Sequence, residues 1–166
     1  MTAMRILVRG VLALVFSAAL LACDQEPDNT VIYLVRHAEK LTTAGDPGLN
    51  NQGRARAGRL AELMAEQNIQ AIYSTDYRRT LETAEPVARK LGLQVRLYNP
   101  SHLAAFAERI ADSHQRILVI GHSNTTPGLA ELLGAESGQH MEESEYGRIY
   151  RIERQGGEVR VEIESY

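Results

Sequence analysis

The chain holds a single cysteine, Cys23, so no internal disulfide can form and the core must hold by packing alone. Positive charge is not in excess. Its 18 Lys and Arg face 21 Asp and Glu, a formal net charge of −3, and no global positive field recommends nucleic acid as a partner. There is no internal repeat and no low-complexity run. No carboxylate cluster or paired-His spacing is present that would hold a metal ion, and neither a metal nor another cofactor is expected. The uncharged apolar stretch from Gly10 to Cys23 falls short of the about 20 apolar residues that an ordinary membrane-spanning helix needs. What remains is an ordinary globular composition, 44% hydrophobic and 23% charged over 166 residues. That length suits one domain with a real core.

The first residues are set apart from that domain. Arg5 and Arg9 precede the apolar run from Gly10 to Cys23, the pattern of a secretory signal. Leu20-Leu21-Ala22-Cys23 resembles the lipobox of bacterial lipoproteins, in which cleavage before the cysteine leaves it diacylated. The expected organisation is a signal peptide over 1–22, a lipidated Cys23 with a polar tether over 23–29, and a folded domain over 30–166. The expected location is periplasmic, anchored to the bacterial membrane by lipid. Without residues 1–22 the basic residues fall from 18 to 16 against 21 acidic ones, or −5, so lipid rather than a polybasic surface would provide the anchor.

From Thr30 onward, apolar runs alternate with amphipathic stretches. Val31 to Val35, Ala71 to Tyr73, Leu93 to Tyr98 and Arg116 to Ile120 read as strands. Gly53 to Met64, a stretch through Leu81, Ala84, Val87 and Leu91 that ends at Gly92, and Leu103 to Ala111 read as helices. Thr126 and Pro127 read as the N-cap and first residue of another helix that stops near Gly134. Gly147 to Ile152 and Glu158 to Ile163, either side of Gly156-Gly157, read as a hairpin. Alternation of this kind predicts an α/β fold of three layers, α/β/α, with a mostly parallel central sheet and a C-terminal β-hairpin.

Ligands of open α/β sheets collect beyond the carboxyl ends of the strands. Arg36 and His37 follow the first strand, Ser74 to Arg79 the second, and Gly121 to Asn124 the fourth, so three polar clusters could share one edge of the sheet. Arginine offers a planar fork of donors matched to phosphate or carboxylate oxygens. Histidine can act as a neutral nucleophile or a charged donor. Two of each around one pocket suit a dianion, and phosphoryl transfer needs a nucleophile in line with phosphorus and stabilised charge on the equatorial oxygens.

These residues resemble the histidine phosphatase, or phosphoglycerate mutase-like, superfamily. Its Arg-His-Gly/Ala-Glu signature matches Arg36-His37-Ala38-Glu39. Its Ser-Asp-Leu-x-Arg-Ala-x-Gln-Thr-Ala motif matches Thr75 to Ala84, and its Gly-His-Ser/Gly-Asn motif matches Gly121-His122-Ser123-Asn124. A Leu-Thr-x-x-Gly-x-x-Gln-Ala element is echoed by Leu49 to Ala57. The resemblance implies a phosphoglycerate mutase-like fold and a small phosphorylated substrate. It implies that His37 attacks phosphorus and carries a phosphohistidine, while Arg36, Arg79 and His122 bind the phosphoryl oxygens. Lys40 and the backbone of Ser123 and Asn124 are further expected contacts to the anion. Registering Glu82-Thr83-Ala84 with Gln-Thr-Ala puts Arg79 in the pocket and Arg78 outside it.

One departure stands out. Many members of the superfamily carry a Glu or Asp, after the strand that follows the second motif, to protonate the leaving group; here that stretch is Tyr98-Asn99-Pro100. The nearest carboxylates beyond it are Glu108 and Asp112. Losing general acid catalysis costs about 100- to 10,000-fold for poor leaving groups and little for good ones, such as acyl phosphates or phosphohistidine. The gap argues against a mutase reaction, and it leaves a low-turnover phosphate-binding lipoprotein as the alternative to a phosphatase. The remaining polar residues read as structural or solvated. These are His102, His114 and His140, the face of Arg54, Arg56 and Arg59 (with Arg56 near the pocket at the family's Gln position), the run Glu142-Glu143-Ser144-Glu145, and Glu39 as an orienting group.

Overall fold

A computed structural model describes residues 29–136 and 140–166; the signal peptide, Cys23 and nearly all of the tether expected from the sequence lie outside them. The first strand, β1 (Asn29–Arg36), leads into helix α1 (Asn51–Ala65), then β2 (Ala71–Ser74) into α2 (Arg78–Leu91). The short β3 (Val95–Leu97) is followed by α3 (Leu103–Ala111), and β4 (Arg116–Gly121) by α4 (Thr125–Leu132). Strands β5 (Arg148–Gln155) and β6 (Glu158–Ser165) close the chain as a hairpin. One mixed sheet results, in the order β3-β2-β4-β1-β5-β6, with the first four strands parallel and the hairpin antiparallel to β1.

Alternate residues of β1 point to opposite faces, as the period of a strand requires. Val31, Tyr33 and Val35 pack with Leu60, Met64, Val87 and Ala88 beneath α1 and α2. Ile32 and Leu34 pack with Phe106, Ile110, Leu129 and Leu133 beneath α3 and α4. Two apolar cores on either side of one sheet make the three-layer α/β/α arrangement expected from the alternation of elements.

Local boundaries follow cap chemistry. Asn50 caps α1, its side chain accepting from Gly53 N at 2.8 Å, so the helix starts at Asn51, two residues before the Gly53 expected. Gly92 ends α2 in the left-handed conformation at φ 67°, as read from the sequence. Gly156 and Gly157 both take positive φ, 57° and 88°, which a two-residue hairpin of matching twist demands. Two expectations need correction. The third strand spans only Val95–Leu97, because Leu93 turns into the core beneath α2 and Tyr98 into the opposite one. Helix α4 starts at Thr125 rather than after Thr126; the Thr125 hydroxyl accepts from His122 N at 2.9 Å, drawing the helix start toward the preceding loop.

Register fixes what the edge of the sheet presents. Arg36 lies directly opposite Gly121, and His37 N donates to the Gly121 carbonyl at 2.9 Å, so the first and third motifs leave the sheet side by side. The second motif leaves β2, which pairs with β4 on its other side. The loop after β1 returns past Glu39, whose carbonyl accepts from Asn50 N at 2.9 Å as α1 begins. Gly53 sits so close to that carbonyl that a methyl group would collide with backbone rather than a movable side chain. Gly53→Ala is therefore expected to destabilise the protein by about 1–3 kcal/mol. Gly58→Ala, one turn further along α1 and facing open space, should stabilise it by about 0.5–1 kcal/mol. Urea unfolding of the two variants beside the parent checks both signs.

Candidate active site

Arg36, His37, Arg79 and His122 converge on one cleft of 420 Å³ at the carboxyl ends of β1, β2 and β4. Lys40, Ser123 and Asn124 also line it. Each anticipated site residue within the described chain therefore stands where the sequence places it, around a single concavity. A larger groove of 640 Å³ runs beside α2, past Leu81, Ala88 and Leu93, and contains none of the four converging residues. Volume alone would choose the wrong place, since recognition needs convergent polar groups.

His37 is buried, and its Nδ1 lies 2.7 Å from the Ala38 carbonyl oxygen. A carbonyl only accepts, so the ring proton sits on Nδ1 and Nε2 keeps its lone pair. Burial pushes this imidazole down to about 3, against the Ala38 bond that raises it; Arg36, His122 and Arg79 push it further down. The ring is neutral near pH 7. Its backbone is secured from the far side as well, because Ala38 N donates to the Thr83 hydroxyl at 3.0 Å, and that hydroxyl donates to the Arg79 carbonyl at 2.7 Å.

His122 stands 5.5 Å from the His37 ring, edge to face. Arg79 Nη2 is 3.4 Å from its Nδ1, and a guanidinium only donates, so Nδ1 accepts and Nε2–H donates to Thr75 Oγ1 at 2.9 Å. Burial, together with Arg79 and Arg36, lowers this imidazole to about 4, while Asp46 opposes them. In the unliganded protein His122 is thus a neutral ring, not the imidazolium that binding an anion would favour.

The arginines are held by contacts the sequence does not announce. Arg36 is only 2% exposed, and its Nη1 donates to the carbonyls of Glu142 at 2.8 Å, Glu143 at 3.2 Å and Glu145 at 2.9 Å. Its guanidinium carbon lies 4.4 Å from the centre of the Tyr146 ring, and its Nη2 lies 3.5 Å from the Glu143 carboxylate. Arg79 Nη1 reaches Asp46 at 3.4 Å, and the guanidinium lies 4.5 Å from the centre of the Tyr77 ring. The Nε–H of both arginines is buried without a partner. Such unpartnered donors are costly, and they stand among the few polar groups the fold leaves unmet.

Two readings of polar residues change. Glu142 to Glu145 do not form a merely solvated loop; three of their carbonyls cage Arg36, and Glu143 lines the cleft. Arg56 is not part of a solvated face. It grips both Glu39 oxygens, at 2.8 and 3.0 Å, and donates to the Tyr166 carbonyl at 2.9 Å, whereas Arg54 and Arg59 are exposed. Burial tends to raise the Glu39 carboxyl, but the Arg56 bonds hold it below its ordinary range, so it remains an ionised strut behind the His37 loop. His102, His114 and His140 are exposed. Tyr77, Thr75, Thr83, Asp46 and Tyr146 join the site unannounced. Of these, Thr75, Tyr77 and Thr83 fall inside the second motif, which was the one signal available for them.

The comparisons with known proteins agree with this geometry. The family model for the histidine phosphatase superfamily (branch 1) matches residues 32–99. Phosphoglycerate mutase-like protein 4 of Arabidopsis thaliana is 40% identical over 77 residues, covering 42% of this chain and 34% of that protein. The human 6-phosphofructo-2-kinase/fructose-2,6-bisphosphatase 4 is 41% identical over 61 residues, 32% of this chain and 13% of that protein. The chain therefore spans about a third or less of these curated relatives. Among solved structures, the protein histidine phosphatase SixA complexed with tungstate superposes with a TM-score of 0.68 at 17% identity, over 82% of this chain and 97% of that one. At that identity the likeness speaks to the fold. With all the motifs in order on that fold and their four key side chains around one cleft, the chain is similar to the histidine phosphatase superfamily, whose family model covers residues 32–99.

Proposed function

We propose that the protein is a phosphatase that hydrolyses a phosphomonoester, or a similar small phosphorylated substrate of the envelope or periplasm, through a phosphohistidine at His37. The observation that carries this reading is the neutral His37 imidazole, with its proton fixed on Nδ1, between two guanidiniums whose Nε–H groups have no partner. The Nε2 lone pair would attack phosphorus as the bond from phosphorus to the leaving oxygen breaks. Arg36 and Arg79 would share the charge on the three equatorial oxygens, the role that a metal ion fills in other phosphoryl transfers. Water would then attack the phosphohistidine, releasing phosphate and restoring the ring. A dianion beside His122 favours its charged form, opposing the burial and the Arg79 and Arg36 charges that lower it. Lys40, Ser123 and Asn124, at the same cleft, would contact the substrate further out.

The envelope location rests on the secretory pattern and lipobox-like ending at Cys23, and lipid there would tether the domain to a bacterial membrane. A low-turnover binding lipoprotein would use the same anion cleft, and turnover separates the two. Hydrolysis of 4-nitrophenyl phosphate by the soluble domain should fall to background in His37→Ala and by about 100- to 1,000-fold in Arg79→Ala. Labelled phosphate should be trapped on the parent as an acid-labile adduct and be absent from His37→Ala. Tight vanadate binding without any turnover would favour the binding protein.

The buried neutral histidines also set a pH dependence. Their pKa values are depressed on folding, so the unfolded chain takes up protons first as pH falls below about 6.5, and stability is lost in that direction. Between pH 6.5 and 5, each ring should contribute a slope on the order of 1 kcal/mol per pH unit. Urea unfolding across that range should show the slope reduced in His37→Ala and again in His122→Ala; an unchanged slope would mean that the rings are not buried as described.

A further inference from the structure

The cleft has the nucleophile and the charge clamp that phosphoryl transfer requires, but the stretch Tyr98-Asn99-Pro100 offers no acid for the leaving group. The carboxylates near the cleft can be sorted by their partners. Glu39 is locked to Arg56. Asp46 is held between Arg78 N at 2.9 Å and Arg79. Glu82 accepts from Leu49 N and from Arg78. On α3, Asp112 pairs with Arg154 at 3.7 Å, and Glu108 is exposed away from the cleft. Only Glu143, among the carboxylates of the described residues, lines it.

We infer that Glu143 is the proton donor to the leaving group, and that the substrates therefore include alkyl phosphomonoesters and not only compounds with good leaving groups. The inference rests on the phosphatase reading above. Glu143 combines a fixed base with a free tip. Its backbone is pinned because its own carbonyl and those of Glu142 and Glu145 accept from the buried Arg36. Its side chain is 88% exposed and touches Arg36 Nη2 at 3.5 Å, too long for a good hydrogen bond and short enough for an ion pair. Its acidic neighbours are occupied elsewhere, Glu142 with His140 at 3.8 Å and Glu145 with Arg148 at 2.6 Å. Across the cleft stand Lys40, His37 and His122.

The Glu143 carboxylate faces Arg36 Nη2 at 3.5 Å. A phosphoryl group bound to Arg36 and Arg79 would take over that Arg36 contact and set a dianion beside the carboxylate, which favours its protonated form. The acid would thus be loaded by the substrate. As His37 Nε2 bonds to phosphorus, the bond from phosphorus to the ester oxygen breaks, and the Glu143 proton passes to that oxygen, leaving an alcohol, a phosphohistidine and a carboxylate. In the second half, water attacks phosphorus as the bond from phosphorus to Nε2 breaks, the carboxylate takes the water proton, phosphate departs, and the carboxyl gives its proton back to solvent, restoring the starting state.

The test is a leaving-group series, from 4-nitrophenyl phosphate through phenyl phosphate to glycerol 2-phosphate, on the parent protein, Glu143→Gln and His37→Ala. The ratio kcat/KM reports the first phosphoryl transfer. Glu143→Gln should lose at least about 100-fold on glycerol 2-phosphate and an intermediate amount on phenyl phosphate, while staying within about 3-fold on 4-nitrophenyl phosphate. The retained activity shows that the variant is folded. An equal loss on all three esters would make Glu143 a group that positions Arg36, and unchanged or higher rates on all three would make it a competitor for the phosphoryl site; either result overturns the inference while leaving the phosphatase reading intact. Activity that survives in His37→Ala would instead remove the phosphohistidine reading, and this inference with it.

Discussion

A guanidinium at the end of a buried strand cannot be left to itself. Taking an ion out of water costs several kcal/mol unless its hydrogen-bonding capacity is met, and Arg36 is among the most completely buried large side chains in the protein. The three carbonyls from Glu142 to Glu145 satisfy one of its amino groups, and the face of Tyr146 covers the rest. This arrangement leaves Nη2 beside the Glu143 carboxylate at the cleft and Nε buried without a partner. The segment before β5 is therefore held in place by the same residue that is proposed to grip the substrate. Remove Arg36 and both the anion clamp and one wall of the cleft go.

Charge of one sign predominates at the site, offset only in part by Asp46 and Glu143. Two arginines and two histidines surround a volume with few acids pointing in, and the protein accommodates this by keeping both imidazoles neutral. An uncharged ring is what a nucleophile needs, since a protonated Nε2 has no lone pair to offer. The same crowding makes an arriving dianion the missing counter-charge, so complementarity is to the phosphoryl group rather than to whatever it is attached to. The identity of that remainder would be read at the rim, where Lys40, Tyr77 and Ser101 line the opening.

Much of this was visible in the linear chain, and what was hidden has a common cause. The strand and helix alternation, the Gly92 cap and the Gly-Gly hairpin are short-range signals, and each appears where periodicity and turn chemistry put it. Arg36 ends β1 and His37 and His122 directly follow strands, where side chains emerge at the edge of the sheet, whereas Arg79, in the first turn of α2, was legible through the motif resemblance that set it apart from Arg78. The α4 start slipped because its N-cap, Asn124, makes no side-chain cap bond for the sequence to announce, and Thr125, inside the helix, accepts from the His122 amide of the preceding loop instead. Arg56, Glu143 and Tyr146 stayed hidden because their partners lie elsewhere: Arg56 meets Tyr166 across 110 positions, and Arg36 meets Glu145 across 109. No local window contains such a pairing, and a run of glutamates looks solvated whether or not its carbonyls are in use.

The order of strands across the sheet has a consequence in time. β1 lies between β4 and β5, so the opening strand is flanked by two that are synthesised long after it. A ribosome that has released Arg36 and His37 has made a nucleophile with no walls, because the carbonyls that seat the guanidinium emerge more than a hundred residues later. Contacts of such long range form late and slowly relative to local ones. The cage around the Arg36 guanidinium is accordingly closed only by chain that follows it by more than a hundred residues, through Glu145.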